Sequence, residues 1–536
     1  MTVEQALAAA TGGTKSMAHG WSKDRSTKRI KGWLEQVKTV TIKDYVRDTS
    51  LNDLAVNTAY RVAGVHLYVD ILNINEMLAT TADEGVTCHR RTLRFLNLHF
   101  RAVQRVLSEV DSIEVDFHNQ RLHAVFVKPY ASESDRVHRA IATAQLIIDV
   151  LKETGEGGDD PIPSARVRVG IDTGVALAVN NGRRGHREPL FLGEPANRAA
   201  KRAAGGAATG IYLTNTARDI IDLELVDDED ATALTDEEVQ SSEGQADLDV
   251  TKDDIVDAWE ADLEANPIGR FEFTGHTPPY SNLDLDQLSP ANSRRQDIVS
   301  VYADLDGFTD FVRERIDDDE SAKDVVRVLH VVRSELDAAL VTDFGGLKVR
   351  FVGDCIHGVL AEGTAQTTDD VETMSTATLA AGALRSGFEL AIEKLEAEGY
   401  DADDLGLAVG FEFGPLALSR LGMKGSLVRC AVGRNVLQSE KEQGRCGPSE
   451  SAIGSKAYNK ASTAVRKVFG ATRKRAGLDY DTAADELSKE DDKAAKKSLA
   501  MARSGGAATL LRAAAVAPPA VFPPNNASPT KPRGYA

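Results

Sequence analysis

His66-Leu-Tyr-Val-Asp70-Ile-Leu72 and Val299-Ser-Val-Tyr-Ala-Asp304-Leu305 decide how this chain folds, because they are two copies of one strand. Each is an apolar run that meets an aspartate near its end, and the aspartates stand 234 residues apart. Apolar stretches at hairpin spacing follow each copy, over 113–127 and 347–360. Within them His123-Ala-Val125 faces His357-Gly-Val359, again at an offset of 234. Gly170-Ile-Asp-Thr-Gly174 then matches Gly410-Phe-Glu-Phe-Gly414, Gly193 matches Gly433 and Lys201 matches Lys441, all at 240. One insertion of six residues accounts for every offset. The chain is therefore an internal duplication.

Between these landmarks the period is helical. Leu93, Leu96, Phe100, Val103, Leu107 and Val110 share one helix face, and Val325, Leu329, Val332, Leu336 and Leu340 repeat it in the second copy. Strand, helix, hairpin, helix, strand predicts an α+β unit of ferredoxin-like kind, one sheet face covered by helices. Two such units pair head to tail with sites at their seam. The expected organisation is an extension over 1–54, a first unit over 55–215, an acidic linker over 216–295, a second unit over 296–475 and a partly disordered, Ala- and Pro-rich tail over 476–536.

With 536 residues, 42% apolar and 27% charged, the chain is in the range of soluble globular proteins. Its net charge of −19 is concentrated: between Asp222 and Glu264 eighteen acidic residues face Lys252 alone. The remainder is near neutral, and no basic block with interleaved aromatics points to nucleic acid. No apolar run has the length of a membrane helix, and Met1–Gly20 lacks the pattern of a secretory signal. Cys88, Cys355, Cys430 and Cys446 form no C-x-x-C pair, which fits a reducing cytoplasm better than a disulfide framework or zinc site.

Chemistry is concentrated in the second copy. Asp304-Leu-Asp-Gly-Phe-Thr309 ends a strand in a glycine turn, and Val352-Gly-Asp354 forms a hairpin tip 50 residues on. Carboxylates at a strand end and a neighbouring hairpin tip converge on hard cations, so two Mg²⁺ or Mn²⁺ ions at Asp304 and Asp354 would clamp a triphosphate. Amides around Gly307, Phe308 and Thr309 then face phosphate oxygens. Each pattern by itself also suits an ordinary turn; their joint presence carries the reading.

Tyr302-Ala-Asp304-Leu-Asp306-Gly-Phe-Thr309, Arg350-Phe-Val-Gly-Asp354 and Gly193-Glu-Pro-Ala-Asn197-Arg-Ala-Ala-Lys201 resemble three signatures of the class III nucleotide cyclases. The resemblance covers both units and implies sites shared between two cyclase domains in tandem, an intramolecular pseudo-dimer. It implies metal ligation by Asp304, Asp354 and the Leu305 carbonyl, nucleotide binding at Asp306–Thr309, and catalytic roles for Asn197, which orients the ribose, and Lys201, which offsets phosphoryl charge. The first unit has Gln120 where the second metal aspartate belongs, and the second has Leu437 where the asparagine belongs. Only one complementary combination is complete. Two positions implied to read the base are Asp116, a carboxylate suited to accept the N3–H of uracil, and Leu190, which is apolar. With its decayed first copy, the chain is similar to the pyrimidine cyclases of Pycsar antiphage systems. That implies UTP as substrate, a cyclic nucleotide acting on a separate effector, a cytoplasmic monomer with an internal pseudo-dimer or a homodimer, and no nucleic-acid or membrane partner. A tandem adenylate or guanylate cyclase, and a non-catalytic nucleotide- or partner-binding module, stay open.

Overall fold

In a computed structural model the structure describes residues 20–47, 49–157, 161–182, 189–402, 404–490, 492–494 and 496. The first half runs α1 (Lys23–Gln36), β1 (Thr41–Asp44), β2 (Thr58–Ile71), α2 (Ile74–Leu78), α3 (Val86–Glu109), β3 (Ile113–His118), β4 (Arg121–Phe126), α4 (Glu133–Glu153), β5 (Val167–Asn180), β6 (Pro189–Leu192), α5 (Glu194–Ala204), β7 (Gly210–Leu213) and α6 (Asn215–Ile220). Helices α7 (Asp236–Ala246) and α8 (Lys252–Ala265) lie in the acidic segment. The second half follows with β8 (Phe273–Thr274), β9 (Ser293–Asp306), α9 (Phe308–Arg315), α10 (Asp319–Ala338), β10 (Leu347–Val352), β11 (Cys355–Leu360), α11 (Asp370–Ala397), β12 (Gly406–Leu421), β13 (Val428–Val432), α12 (Arg434–Gly444), β14 (Glu450–Ile453), α13 (Ser455–Lys460), α14 (Thr463–Phe469), β15 (Lys474–Ala476) and α15 (Tyr480–Lys489).

The fold is α+β, with one sheet in each half. Their strand orders are β3-β4-β2-β5-β6 and β10-β11-β9-β12-β14-β15, with β1, β7, β8 and β13 pairing alongside. The duplication holds at the level of individual pairs. Tyr68 opposes His123 and Gly170 in the first sheet, and Tyr302 opposes His357 and Gly410 in the second. Both hairpins carry a register shift at the same place, between Glu114 and Asp116 and between Lys348 and Arg350. The two central glycines have a packing reason. A Cβ on Gly170 would lie 2.1 Å from the Ala199 carbonyl oxygen of α5, and one on Gly410 2.1 Å from the Gln443 nitrogen of α12. Only glycine lets those helices sit this close to the sheet.

Each half completes the core of the other. Leu177, Val179 and Leu192 of β5 and β6 join the cluster built on α10 and α11, while Ala417, Leu421 and Val432 of β12 and β13 join the cluster under α3 and α4. The extension docks too: α1 buries Ile30 in the second half's core, whereas β1 pairs with β2 of the first sheet. Arg29 of α1 bonds Glu335 at 2.7 Å and Asp343 at 2.9 Å.

The acidic segment is not the free linker that its composition suggests. Ile255, Trp259, Ile268 and Phe271 are buried in the first half's core, and the Trp259 indole donates to the Leu98 carbonyl at 3.1 Å. The charge count hid this because the carboxylates occupy the solvent face and the helix starts. Thr235 with Glu238 and Thr251 with Asp254 form capping boxes on α7 and α8. Of the tail, β15 ends at Ala476 and α15 packs Tyr480, Ala483, Ala484 and Leu487 into the second core. The disorder expected toward the C-terminus falls outside the described residues, and so do residues 1–19 of the extension. No helix among these residues is long and apolar enough to cross a membrane.

Candidate active site

Asp304 and Asp354 meet at the C-terminal end of β9. Asp304 sits opposite Ala408 on β12, and the Gln443 amide of α12 donates to it at 3.3 Å. Burial pushes its carboxyl up to about 6, with the Asp306 and Glu440 charges adding and bonds from Cys355 and Gln443 opposing. Asp354 follows Gly353, which turns the β10–β11 hairpin at φ 60°. Burial and then the charge of Asp304 push Asp354 well above the usual carboxylate range, against a bond from its own backbone, the charge of Arg333 and a contact with the Leu305 backbone. Two half-buried carboxylates that repel each other are short of positive charge, which a divalent cation would supply. No group of three or more His, Cys, Asp or Glu able to hold a metal occurs among the described residues. Two carboxylates and a backbone carbonyl suit a cation that takes its other ligands from phosphates and water.

The phosphate side is built by Gly307, the N-cap of α9, at φ 82°. A Cβ there would lie 2.8 Å from the Asp404 carbonyl, so the turn requires glycine on both counts. Behind it the first amides of α9 have no intrahelical partner and carry the positive end of the helix. Phe308 buries its ring in the core and offers only its backbone, whereas Asp306 and Thr309 are exposed. Across the seam, Asn197 of α5 donates from Nδ2 to the Thr309 hydroxyl at 3.0 Å. Glu194 on the same helix lies 3.7 Å from Arg313 of α9. Lys201, one turn after Asn197, is exposed. Six positions singled out in the sequence thus converge: Asn197, Asp304, Leu305, Gly307, Thr309 and Asp354.

The two positions that the family resemblance implies for the base, Asp116 and Leu190, have the following surroundings. Asp116 does not stand open in the site: the buried Arg350 donates to its carboxylate at 3.0 Å, and also to the Phe117 and Arg429 carbonyls. Because 116 and 350 are equivalent in the two copies, each carries its partner through the same register shift. Leu190 on β6 packs half-buried against the second core, and β6 touches β3, the strand of Asp116.

The other seam is chemically different. There Asp70 faces Gln120 and, 3.5 Å away, Arg121, whose guanidinium also lies 3.1 Å from Glu440 of α12. A cavity of about 780 Å³ opens beside them, lined also by Leu437 and Lys441. A fixed side-chain cation stands where the first seam has a deficit of positive charge. Arg121 was not foreseen, although aligning the copies shows it opposite Cys355. Gln443, bonded to Asp304, has Ala203 as its equivalent, so the repeat carried no signal for it.

No protein-family model matches the chain. It is 54% identical over 493 residues to a uridylate cyclase of Pseudomonas aeruginosa, covering 91% of this chain and 95% of that one. A uridylate cyclase of a Rhizobium species is 38% identical over 434 residues, 78% of this chain and 82% of that one. Among solved structures, a class III adenylyl cyclase-like ATP-binding protein from Pseudomonas aeruginosa superposes with a TM-score of 0.86 at 55% identity, over 88% of this chain and all of that one.

Proposed function

The chain belongs to the uridylate cyclases, within the class III nucleotide cyclases, and from that premise we propose that it converts UTP to 3′,5′-cyclic UMP and pyrophosphate at one complete site on the seam. The observation that carries the single site is the Asn197–Thr309 bond, which links the helix of one half to the phosphate turn of the other. The two units, 55–215 and 296–475, act as an intramolecular pseudo-dimer with divided labour. The first supplies Asn197, Lys201 and the base pocket; the second supplies Asp304, Asp354 and the phosphate turn.

Asp304, Asp354 and the Leu305 carbonyl would hold two divalent cations, Mn²⁺ or Mg²⁺. When bound, these supply Lewis-acid charge next to the ribose 3′-oxygen and the β- and γ-phosphates. The amides following Gly307 donate to the triphosphate tail. Asn197 orients the ribose so that the 3′-oxygen lies in line with the α-phosphorus. The O3′–Pα bond forms, the bond to pyrophosphate breaks, and the hydroxyl proton passes to solvent. Lys201 offsets the charge gathering on the transferred phosphoryl, as a point charge rather than a bidentate fork. Asp116, oriented by Arg350, accepts the uracil N3–H, since a carboxylate has acceptor sites beyond the one in an ion pair. Leu190 walls the base. The cyclic nucleotide acts as a second messenger on a separate effector in cytoplasmic antiphage defence, a reading supported by the likeness of the decayed tandem plan to the Pycsar cyclases.

One observation favours a second reading: the structural relative at 55% identity is described as ATP-binding, which points to a purine substrate. Incubation with each of the four nucleoside triphosphates and Mn²⁺, products separated by mass, decides between them. Cyclic UMP as the main product is expected; cyclic AMP in its place establishes the second reading, and no cyclic product refutes both.

A further inference from the structure

Asp354 follows the glycine that turns the β10–β11 hairpin. An added Cβ on Gly353 would meet nothing within 4 Å. On the β10 arm of this hairpin Phe351, three residues before Asp354, is buried at 5% exposure. Phe351 is gripped from several sides. The Arg333 guanidinium of α10 lies over its ring at 3.9 Å and the Lys348 ammonium at 4.3 Å. Arg333 is itself 5% exposed and donates 2.7 Å across the seam to the Asn181 carbonyl of the first half. Next to it Gly182 brings its backbone so near that a Cβ would lie 3.0 Å from the Phe351 ring. A cavity of about 420 Å³ opens beside this grip, lined by Trp33, Asn180, His330 and Ser334. On that side the guanidinium is held by its directed contacts and not by close packing.

We propose that Arg333 is a positioning residue that clasps the Asp354 hairpin to the turn at Asn181–Gly182, so that metal capture at Asp304 and Asp354 depends on the two halves being docked. This rests on the metal-binding reading of Asp354 given above. The planar fork is what the clasp uses: it stacks flat on a ring while donating in its own plane, which an ammonium does not do. Outer contacts of this kind tune a metal site by fixing its ligands, and their loss costs about tenfold or more in metal affinity.

The test takes the full-length protein without nucleotide and measures two things: hydrogen exchange of the amides at 352–356, and Mn²⁺ binding from the free-ion electron paramagnetic resonance signal. Arg333→Met and Arg333→Lys are expected to speed exchange at the turn and to weaken Mn²⁺ binding about tenfold. At saturating Mn²⁺ their kcat should return to the wild-type value. Gly182→Ala, which strains a backbone at φ 70° and crowds both Phe351 and the Arg333 guanidinium from the first half, should change exchange and binding in the same direction. Wild-type exchange in both Arg333→Met and Gly182→Ala overturns the clasp. So does an Arg333→Lys protein indistinguishable from wild type, because charge alone would then suffice. If Asp354→Asn binds Mn²⁺ as the wild type does, the metal reading is what fails, and the exchange data still judge the clasp.

Discussion

Arg121→Met separates the two seams. The substitution keeps an unbranched side chain of similar bulk in the cavity and removes the cation between Asp70 and Glu440. The Glu440 contact is about one-third exposed on each side, so solvent screens it and its loss costs only about 0.5 kcal/mol. Asp70 is different: its side chain is 10% exposed and its contact with Arg121 is long, at 3.5 Å. Stranding that carboxylate costs on the order of 2 kcal/mol, the scale of a buried acceptor left without its charged donor. The sum is about 2–3 kcal/mol, read as a lower denaturant midpoint at an unchanged m-value. The deficit also depends on pH. Burial already raises the Asp70 carboxyl against the pull of Arg121, and without that pull it rises further. A folded-state acid raised above its unfolded value makes stability fall as pH rises through the gap, so the deficit is largest above the folded value and shrinks on acidification. Cyclic-nucleotide formation, measured in buffer without denaturant, should stay within a factor of about two, since the mutated seam lacks the catalytic pairing. Loss of turnover with an unchanged midpoint would put Arg121 in the chemistry and sink the assignment of one catalytic seam.

Asp354→Asn should do the converse, lowering kcat by about two to three orders of magnitude while relief of its repulsion with Asp304 keeps the denaturation midpoint at or above wild type; an equal kinetic loss in Asp70→Asn contradicts the single site. Asp116→Ala should lower the share of cyclic UMP in a competition of four nucleotides at equal concentration more than it lowers total turnover, and an unchanged product ratio removes Asp116 from base reading. Trp259→Ala should cost about 3–5 kcal/mol by calorimetry or denaturation, as a large core-to-Ala truncation does; a loss under about 1 kcal/mol would return the acidic segment to the status of a linker. Burial pushes the Asp172 carboxyl up to about 6, so stability should fall by up to about 3 kcal/mol as pH rises from about 4 to 6. Asp172→Asn should flatten that part of the profile.

What the sequence disclosed follows from where the constraint acts. Duplication was legible because sheet pairing has a period of two, and a slip of one residue would turn Tyr68 or Tyr302 to the wrong face. Offsets of 234 and 240 therefore survived into the ladders without change. The Asn197 and Asp304 halves of the proposed site could be picked out for the same reason, since each loss is read against its intact copy. Contacts that join residues from different copies were not. Nothing local to Asp116 shows that Arg350 holds it, and nothing in the 23–36 helix shows that its apolar face belongs to α10 and α11. In the acidic segment, composition outweighed periodicity: Ile255 and Trp259, buried on α8, stand among the carboxylates of its solvent face and first turn.

The route of α1 has a consequence for how the molecule is made. Arg29 and its partner Asp343 are 314 residues apart, and at roughly 5–20 residues per second a ribosome takes about 15–60 s to cover that interval. Through that time the face of α1 that buries Ile30, and Trp21 just ahead of the helix, lack the second-half core they pack on, while the strand following α1 can already pair with β2. The first half thus emerges with a hydrophobic arm held out, and α10 and α11, translated about 290–340 residues later, are the helices that retrieve it. The interval over which this arm stays uncovered is set by the order of synthesis alone.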